Sequence, residues 1–181
     1  MILKPQDIFI ALKLVALGKN RWTYVQLANE LHMSASEINA GVKRGMRARL
    51  LSQPVRRGEN PAPIIMALEE FLTHGIKYAF PPDRGEITYG IPTGHAGPHS
   101  MGETWQAEEI PPVWPHPRGT VKGYAYSPLY SSVPDAAMDD ALLHEMLALV
   151  DILRDERARD RNQAAKVLSQ VFKKASVSTA E

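Results

Sequence analysis

The stretch TYVQLANELHMSASEINAGVKRGMRARLL, residues 23–51, decides the reading of this chain. Val25, Leu27, Ala28, Leu31, Ile38 and Val42 recur at helical spacing with a break at His32-Met33, which predicts two short amphipathic helices and a turn between them. Ser34 is suited to cap the second helix. Glu37, three residues on, completes an S-x-x-E capping box, in which each side chain satisfies a backbone N–H of the other residue. Ala28 is the small residue expected to let the two helices approach, while Ile38 and Val42 turn inward. A second helix over about 35–48 then points Ala35, Ser36, Asn39, Ala40, Lys43 and Arg47 outward.

Those residue types have a chemistry in common. Small and polar side chains at a helix start, Ser34, Ser36 and Ala40 among them, can lie against base edges, and Asn39 offers the donor and acceptor that adenine matches. Lys43, Arg44 and Arg47 can reach guanine or phosphate. A helix entering the major groove of double-stranded DNA needs this set. The same capping box also precedes helices in many proteins that never touch DNA, so the charge distribution carries the next step. Residues 1–60 hold ten Lys and Arg against four acids, whereas the remainder holds eleven against sixteen. A total of +1 thus hides a basic N-terminal part that coincides with the motif and an acidic remainder that phosphate would repel.

The segment resembles the winged helix-turn-helix regulators of the MarR-like superfamily. Their usual run is a Leu-Ala pair, a short turn, a Ser-capped recognition helix and a step into a wing, and Leu27-Ala28, Ser34, Ile38, Val42 and Leu50-Leu51 stand in the matching places. The resemblance covers about a third of the chain. Gly45 stands where the family usually has Leu, and Arg49 and His32 stand where it usually has Gly. What the resemblance implies is DNA contact around Ser36, Asn39, Lys43 and Arg44, with Arg56 and Arg57 at a wing tip near the minor groove or backbone. Only the brief SQPVRRGENPAP follows Leu51, and its prolines cannot donate to a ladder, so no second wing strand is expected directly after it.

Around this motif the chain divides by composition. Pro5 suits the first turn of a supporting helix with Ile8, Phe9, Leu12, Val15 and Ala16 on one face, ending near Gly18. Trp22 and Tyr24 read as packing residues. Ile64, Ile65, Ala67, Leu68, Phe71, Leu72 and Ile76 predict a further helix closing near Gly75, so that residues 1–80 form a DNA-binding domain with a trailing helix. Residues 81–134 carry ten prolines and seven glycines, too many for ordinary helices. Their aromatics nonetheless argue for order, with short strands at Glu86–Ile91 and Thr120–Tyr126 and a mobile loop at Gly102–Glu109. Residues 135–175 return to helix: an acidic start at Asp135, Asp139 and Asp140, a broad apolar stripe from Leu142 to Leu153, the charged run RDERARDRNQ, then a second apolar face from Ala164 to Phe172. That charged run reads as a solvated face joining two helices or one bent one. Residues 176–181 are expected to fray. The fold class is therefore mainly α with minor β.

The chain has no cysteine, which removes disulfides and Cys-based zinc sites and fits a cytoplasmic location; no segment is apolar enough for a membrane span. His95, His99 and His116 lie near Glu103, Glu108 and Glu109, yet Gly97 and Pro98 prevent a helix that would align two imidazoles, so no metal, cofactor or catalytic residue is assigned. The turn Thr93–Gly97 is the place where backbone amides could cradle an anionic effector. A dimer would pair two recognition helices one helical turn apart on DNA, and the apolar C-terminal helices are its expected interface, or that of a partner protein. The expectation is a bacterial-type transcriptional regulator, a repressor or antitoxin-like protein. The alternatives are a docking module with no DNA binding, or a nucleic-acid-acting enzyme using the central histidines.

Overall fold

The structure is a computed structural model that describes residues 1–102, 104–105, 109–155 and 158–178. It is mainly helical with one small sheet. Three helices open the chain: α1 (Pro5–Leu17), α2 (Tyr24–Leu31) and α3 (Ala35–Arg47). A helical run follows, α4 (Ile65–Glu70), continued by a π-helical turn Phe71–Gly75 and by α5 (Ile76–Ala79). The expected stop at Gly75 is not made: the helix passes through it, and the glycine instead gives room to the Phe71 ring, 2.9 Å from where a Cβ would stand.

The described residues of the Pro/Gly-rich middle form a small sheet. β1 (Arg84–Pro92) pairs antiparallel with β2 (Pro112–Pro115) and with β3 (Val121–Tyr126), while β2 and β3 meet in parallel at Pro112–Tyr124 and Val113–Ala125, closing the three strands into a ring. So tight a ring needs backbone against backbone. A Cβ on Gly90 would lie 2.0 Å from the Trp114 carbonyl oxygen, and one on Gly123 would lie 2.2 Å from that of Pro111. β1 and β3 match the expected strands; β2, with proline at both ends, is an addition to them. Of the expected mobile loop at Gly102–Glu109, residues 103 and 106–108 lie outside the described residues.

α6 (Val133–Asp139), α7 (Ala141–Arg154) and α8 (Ala158–Ser178) complete the fold. The single start expected near Asp135 is split at Asp140, whose extended backbone ends α6 and whose Oδ1 accepts from Leu143 N–H at 3.0 Å to cap α7. α7 and α8 pack on each other as a hairpin, and α1 lies against α3, α7 and α8. The apolar stripe of α7, from Leu143 to Leu153, is buried within the chain, as are Val167, Leu168, Val171 and Phe172 of α8. The surfaces expected to form a dimer or partner interface are therefore the inside of this molecule. One core runs through residues from Ile8 to Ala175, so the composition changes near 80 and 134 mark changes of local structure within a shared interior.

Asp151 ties the ring to α7. Thr93 Oγ1 (2.6 Å) and Trp114 Nε1 (2.8 Å) donate to its Oδ2, Arg154 Nη1 (2.7 Å) donates to Oδ1, and the Tyr126 hydroxyl donates to its carbonyl oxygen at 2.8 Å. Burial pushes the Asp151 carboxyl upward while Arg154 and the hydrogen bonds oppose it. The Thr93–Gly97 turn is consumed here too: Thr93 is committed to Asp151, and Gly97 packs where a Cβ would meet Ala148 at 2.5 Å. The turn packs against α7.

Candidate nucleic-acid interface

The N-terminal helices are built on local capping. Thr23 Oγ1 accepts from Gln26 N–H at 3.1 Å to start α2, and Ser34 Oγ accepts from Glu37 N–H at 3.1 Å to start α3. The reciprocal half of the expected capping box is replaced, because the Glu37 carboxylate accepts from the Tyr130 hydroxyl across the molecule. Two non-glycine residues take left-handed conformations, His32 (φ 52°) after α2 and Arg49 (φ 60°) after α3. These are the two positions at which the MarR-like run usually carries glycine, and here a non-glycine residue bears the left-handed backbone.

α3 buries Ile38, Gly41, Val42 and Gly45. Its close approach to α1 rests on Gly41, where a Cβ would come 2.4 Å from Ile10 Cδ1. Beside that contact the buried Asp7 receives Lys4 N–H (2.8 Å), Arg44 Nε (2.8 Å) and Arg44 Nη2 (2.6 Å). The expectation that Arg44 is a free DNA contact is corrected by this geometry. Its side chain is only 11% exposed, it holds a bidentate pair with a fully buried carboxylate, and that pairing raises the guanidinium pKa further. Arg44 positions α3 on α1.

The rest of the expected set lies on or beside the outer face of α3 and in the loop beyond it. Ser34, Ser36, Lys43 and Arg47 are exposed, and Asn39 and Ala40 are half-buried in a cleft of about 600 Å3 shared with Met1 and Tyr24. Among the described residues, no carboxylate lies within ion-pair distance of Lys43, Arg47, Arg56 or Arg57. The acids of this part are otherwise occupied: Asp7 by Arg44, and Glu30 by Lys13 at 2.7 Å. Lys13 also binds Asp140 at 2.7 Å, joining the N-terminal helices to the start of α7. The basic excess is thus left on exposed groups.

After α3 the chain makes a short ribbon that the sequence reading did not expect. Ser52 N–H donates to Ala62 O (2.8 Å) and Ile64 N–H to Leu50 O (2.9 Å), with Leu51 opposite Pro63. The prolines are tolerated because the donors used are Ser52 and Ile64, never Pro61 or Pro63. Arg56 and Arg57 are exposed in the loop between, closed by Glu59, whose Oε2 accepts from Val55 and Arg56 N–H. Trp22, buried and exchanging two hydrogen bonds with Asn60, fastens this loop to the helices.

Of the carboxylates expected near the central histidines, Glu103 and Glu108 lie outside the described residues. His99 Nε2 bonds Gly94 O, and His116 receives Arg118 N–H on Nδ1 (3.1 Å), which leaves Nε2 protonated and donating to Asp135 Oδ1 (2.9 Å). With both nitrogens committed, His116 has no lone pair to offer as a general base. No group of three potential metal ligands lies together, and no helix is long and apolar enough to cross a membrane, among the described residues. Comparisons with protein-family models, with curated proteins and with solved structures find no match to this chain.

Proposed function

We propose that this chain is a sequence-specific double-stranded DNA-binding protein, a regulator built on a winged helix-turn-helix. In this reading α3 enters the major groove, and the ribbon of residues 50–64 is a short wing. The observation that carries the reading is the outer face of α3: Ser36, Asn39, Lys43 and Arg47 are presented together, with no exposed acid among them, and the ribbon that follows α3 in the chain carries the exposed Arg56 and Arg57. Asn39 is assigned to a base edge, Lys43 and Arg47 to guanine or phosphate, and Arg56 and Arg57 to the backbone beside the groove. A two-fold dimer would double the site read, through a surface other than the stripe that α7 buries.

Fluorescence anisotropy with duplex DNA from the region upstream of the protein's own gene, and with a scrambled duplex, tests this. Neutralising about four phosphates gives roughly a 100-fold loss of affinity between 50 and 200 mM salt. Preference for the native duplex with such a slope supports the proposal; absence of binding to either refutes it. A second reading, a protein-docking face, is favoured by the exposed Met1, Ile2 and Val25 beside the α3 cleft. An apolar contact of that kind would respond weakly to salt.

A further inference from the structure

A second concentration of positive charge surrounds a cleft of about 700 Å3 that shares no lining residue with the α3 face. Lys77 at the end of the π-interrupted helix, Arg84 at the start of β1, Arg154 at the end of α7 and Arg161 in the first turns of α8 all line it. Asp155 is the one carboxylate among the described lining residues, and it is engaged by Arg84 Nη2 at 2.5 Å. Four cations brought to one cleft by four different elements repel one another, and two acids among the described residues, Asp155 and the buried Asp151 that pairs with Arg154, do not balance them. A bound anion would.

The cleft is also preorganised. Arg154 is 4% exposed and fixed by Phe80 O (2.9 Å), Ser127 O (3.0 Å) and Asp151 Oδ1 (2.7 Å), so its charge is held in place before any ligand arrives. Arg161 Nη1 donates to the Asp155 carbonyl oxygen at 2.7 Å, which aims its guanidinium, and no carboxylate among the described residues lies within ion-pair distance of it. The Lys77 ammonium has no carboxylate within ion-pair distance among the described residues and rests 4.9 Å from the centre of the Tyr78 ring. Tyr78 itself is 77% exposed at the rim, an aromatic face available for stacking.

We propose that this cleft binds a small phosphate-bearing ligand, its oxygens held by Lys77, Arg154 and Arg161 and any attached ring placed against Tyr78. Guanidinium forks match the tetrahedral oxygens of phosphate, and the cleft lies within the range of roughly 300–1,000 Å3 usual for small-molecule sites. The inference stands apart from the DNA reading.

Isothermal titration calorimetry with pyrophosphate, at ionic strength held constant with potassium chloride, is the test. Saturable binding is expected, weakened at least tenfold in the Lys77→Ala/Arg161→Ala double variant and unchanged in Lys122→Ala, at an exposed position of β3 outside the cleft. If the double variant fails to fold, Lys77→Glu alone, which breaks no ion pair, must show the loss. No saturable binding overturns the proposal, as does binding indifferent to the Lys77 and Arg161 substitutions or abolished by Lys122→Ala. Loss of duplex DNA affinity in the double variant, with no pyrophosphate binding by the wild type, would make the cleft part of a DNA surface and equally overturn it.

Discussion

Arg44 and Lys43 are adjacent cations on α3, and the structure predicts opposite consequences for their removal. Arg44→Ala strands the fully buried Asp7 carboxylate with only the Lys4 N–H for company. Breaking a buried pair costs about 3–5 kcal/mol, and the retained amide bond together with the 11% exposure of Arg44 puts the value near the lower end, about 3 kcal/mol. With a urea m-value of about 2 kcal/mol/M, the unfolding midpoint falls by about 1.5 M. Asp7→Ala should cost a similar amount, and the double substitution less than the sum by about 1.5 kcal/mol or more, because neither charge is then left alone. Lys43→Ala, at an exposed site, stays within about 0.5 kcal/mol of wild type yet weakens duplex binding. Urea unfolding followed by helical circular dichroism at pH 7 reads the first set, and anisotropy under folding conditions reads the last. An Arg44→Ala midpoint within 0.3 M of wild type, with a coupling near zero, would refute the argument and return Arg44 to the reading face.

Other consequences can be measured in the same way. Arg49→Gly should raise stability by about 1 kcal/mol by relieving the left-handed backbone, with His32→Gly gaining less because it also loses the 2.9 Å contact to Asp139; a lowered unfolding midpoint for Arg49→Gly would contradict this. Gly90→Ala sets a methyl 2.0 Å from a backbone oxygen and should cost more than about 3 kcal/mol, with loss of the near-ultraviolet dichroism of the enclosed Trp114. At Lys13, burial lowers the ammonium pKa but the hydrogen bonds it donates to Asp140 and Glu30, with their charges, outweigh it, so the net shift is upward; at Glu30 burial raises the pKa and Lys13 outweighs it, so the net shift is downward. The Glu30 contribution is therefore full above its ordinary value near 4.5 and lost as pH falls through the lowered one. The Lys13 contribution is full below 10.5 and lost as pH rises through the raised one. Lys13→Met should flatten midpoint against pH at both ends, and an unchanged profile would show that the cluster is inert.

What the sequence reveals and what it hides follow from range. α1, α2, α3, α7 and α8 are written in apolar spacing, and the Ser34 cap in a pattern three residues long, because these depend on neighbours within one or two turns. β1 and β3 show through their β-branched and aromatic residues even among prolines. β2 does not, since the segment PVWP becomes a strand only where β1 and β3 are already there to pair with it. The exposed part of the candidate interface is legible for the same reason as the helices: outward positions follow from inward ones. Arg44 and Glu37 are misread because their partners, Asp7 and Tyr130, stand 37 and 93 positions away. A signal does exist for such cases. Asp7 beside the apolar run Ile8–Val15, and Asp151 within the stripe Leu142–Leu153, are acids on faces that must be buried, and each demands a cation that the sequence alone does not identify.

The burial of α1 on all sides bears on how the molecule is made. From Ile8 to Val15 every residue of α1 is enclosed, and two of the helices that enclose it, α7 and α8, begin only at Ala141 and Ala158. A ribosome adding about 5–20 residues per second needs roughly six to thirty seconds to travel from α1 to the start of these helices. Throughout that interval α1 is complete, apolar and only partly covered by α3. The nascent chain thus exposes its stickiest helix first and hides it last, and a chaperone that holds extended apolar segments during synthesis would find its natural target at residues 8–15 of this protein.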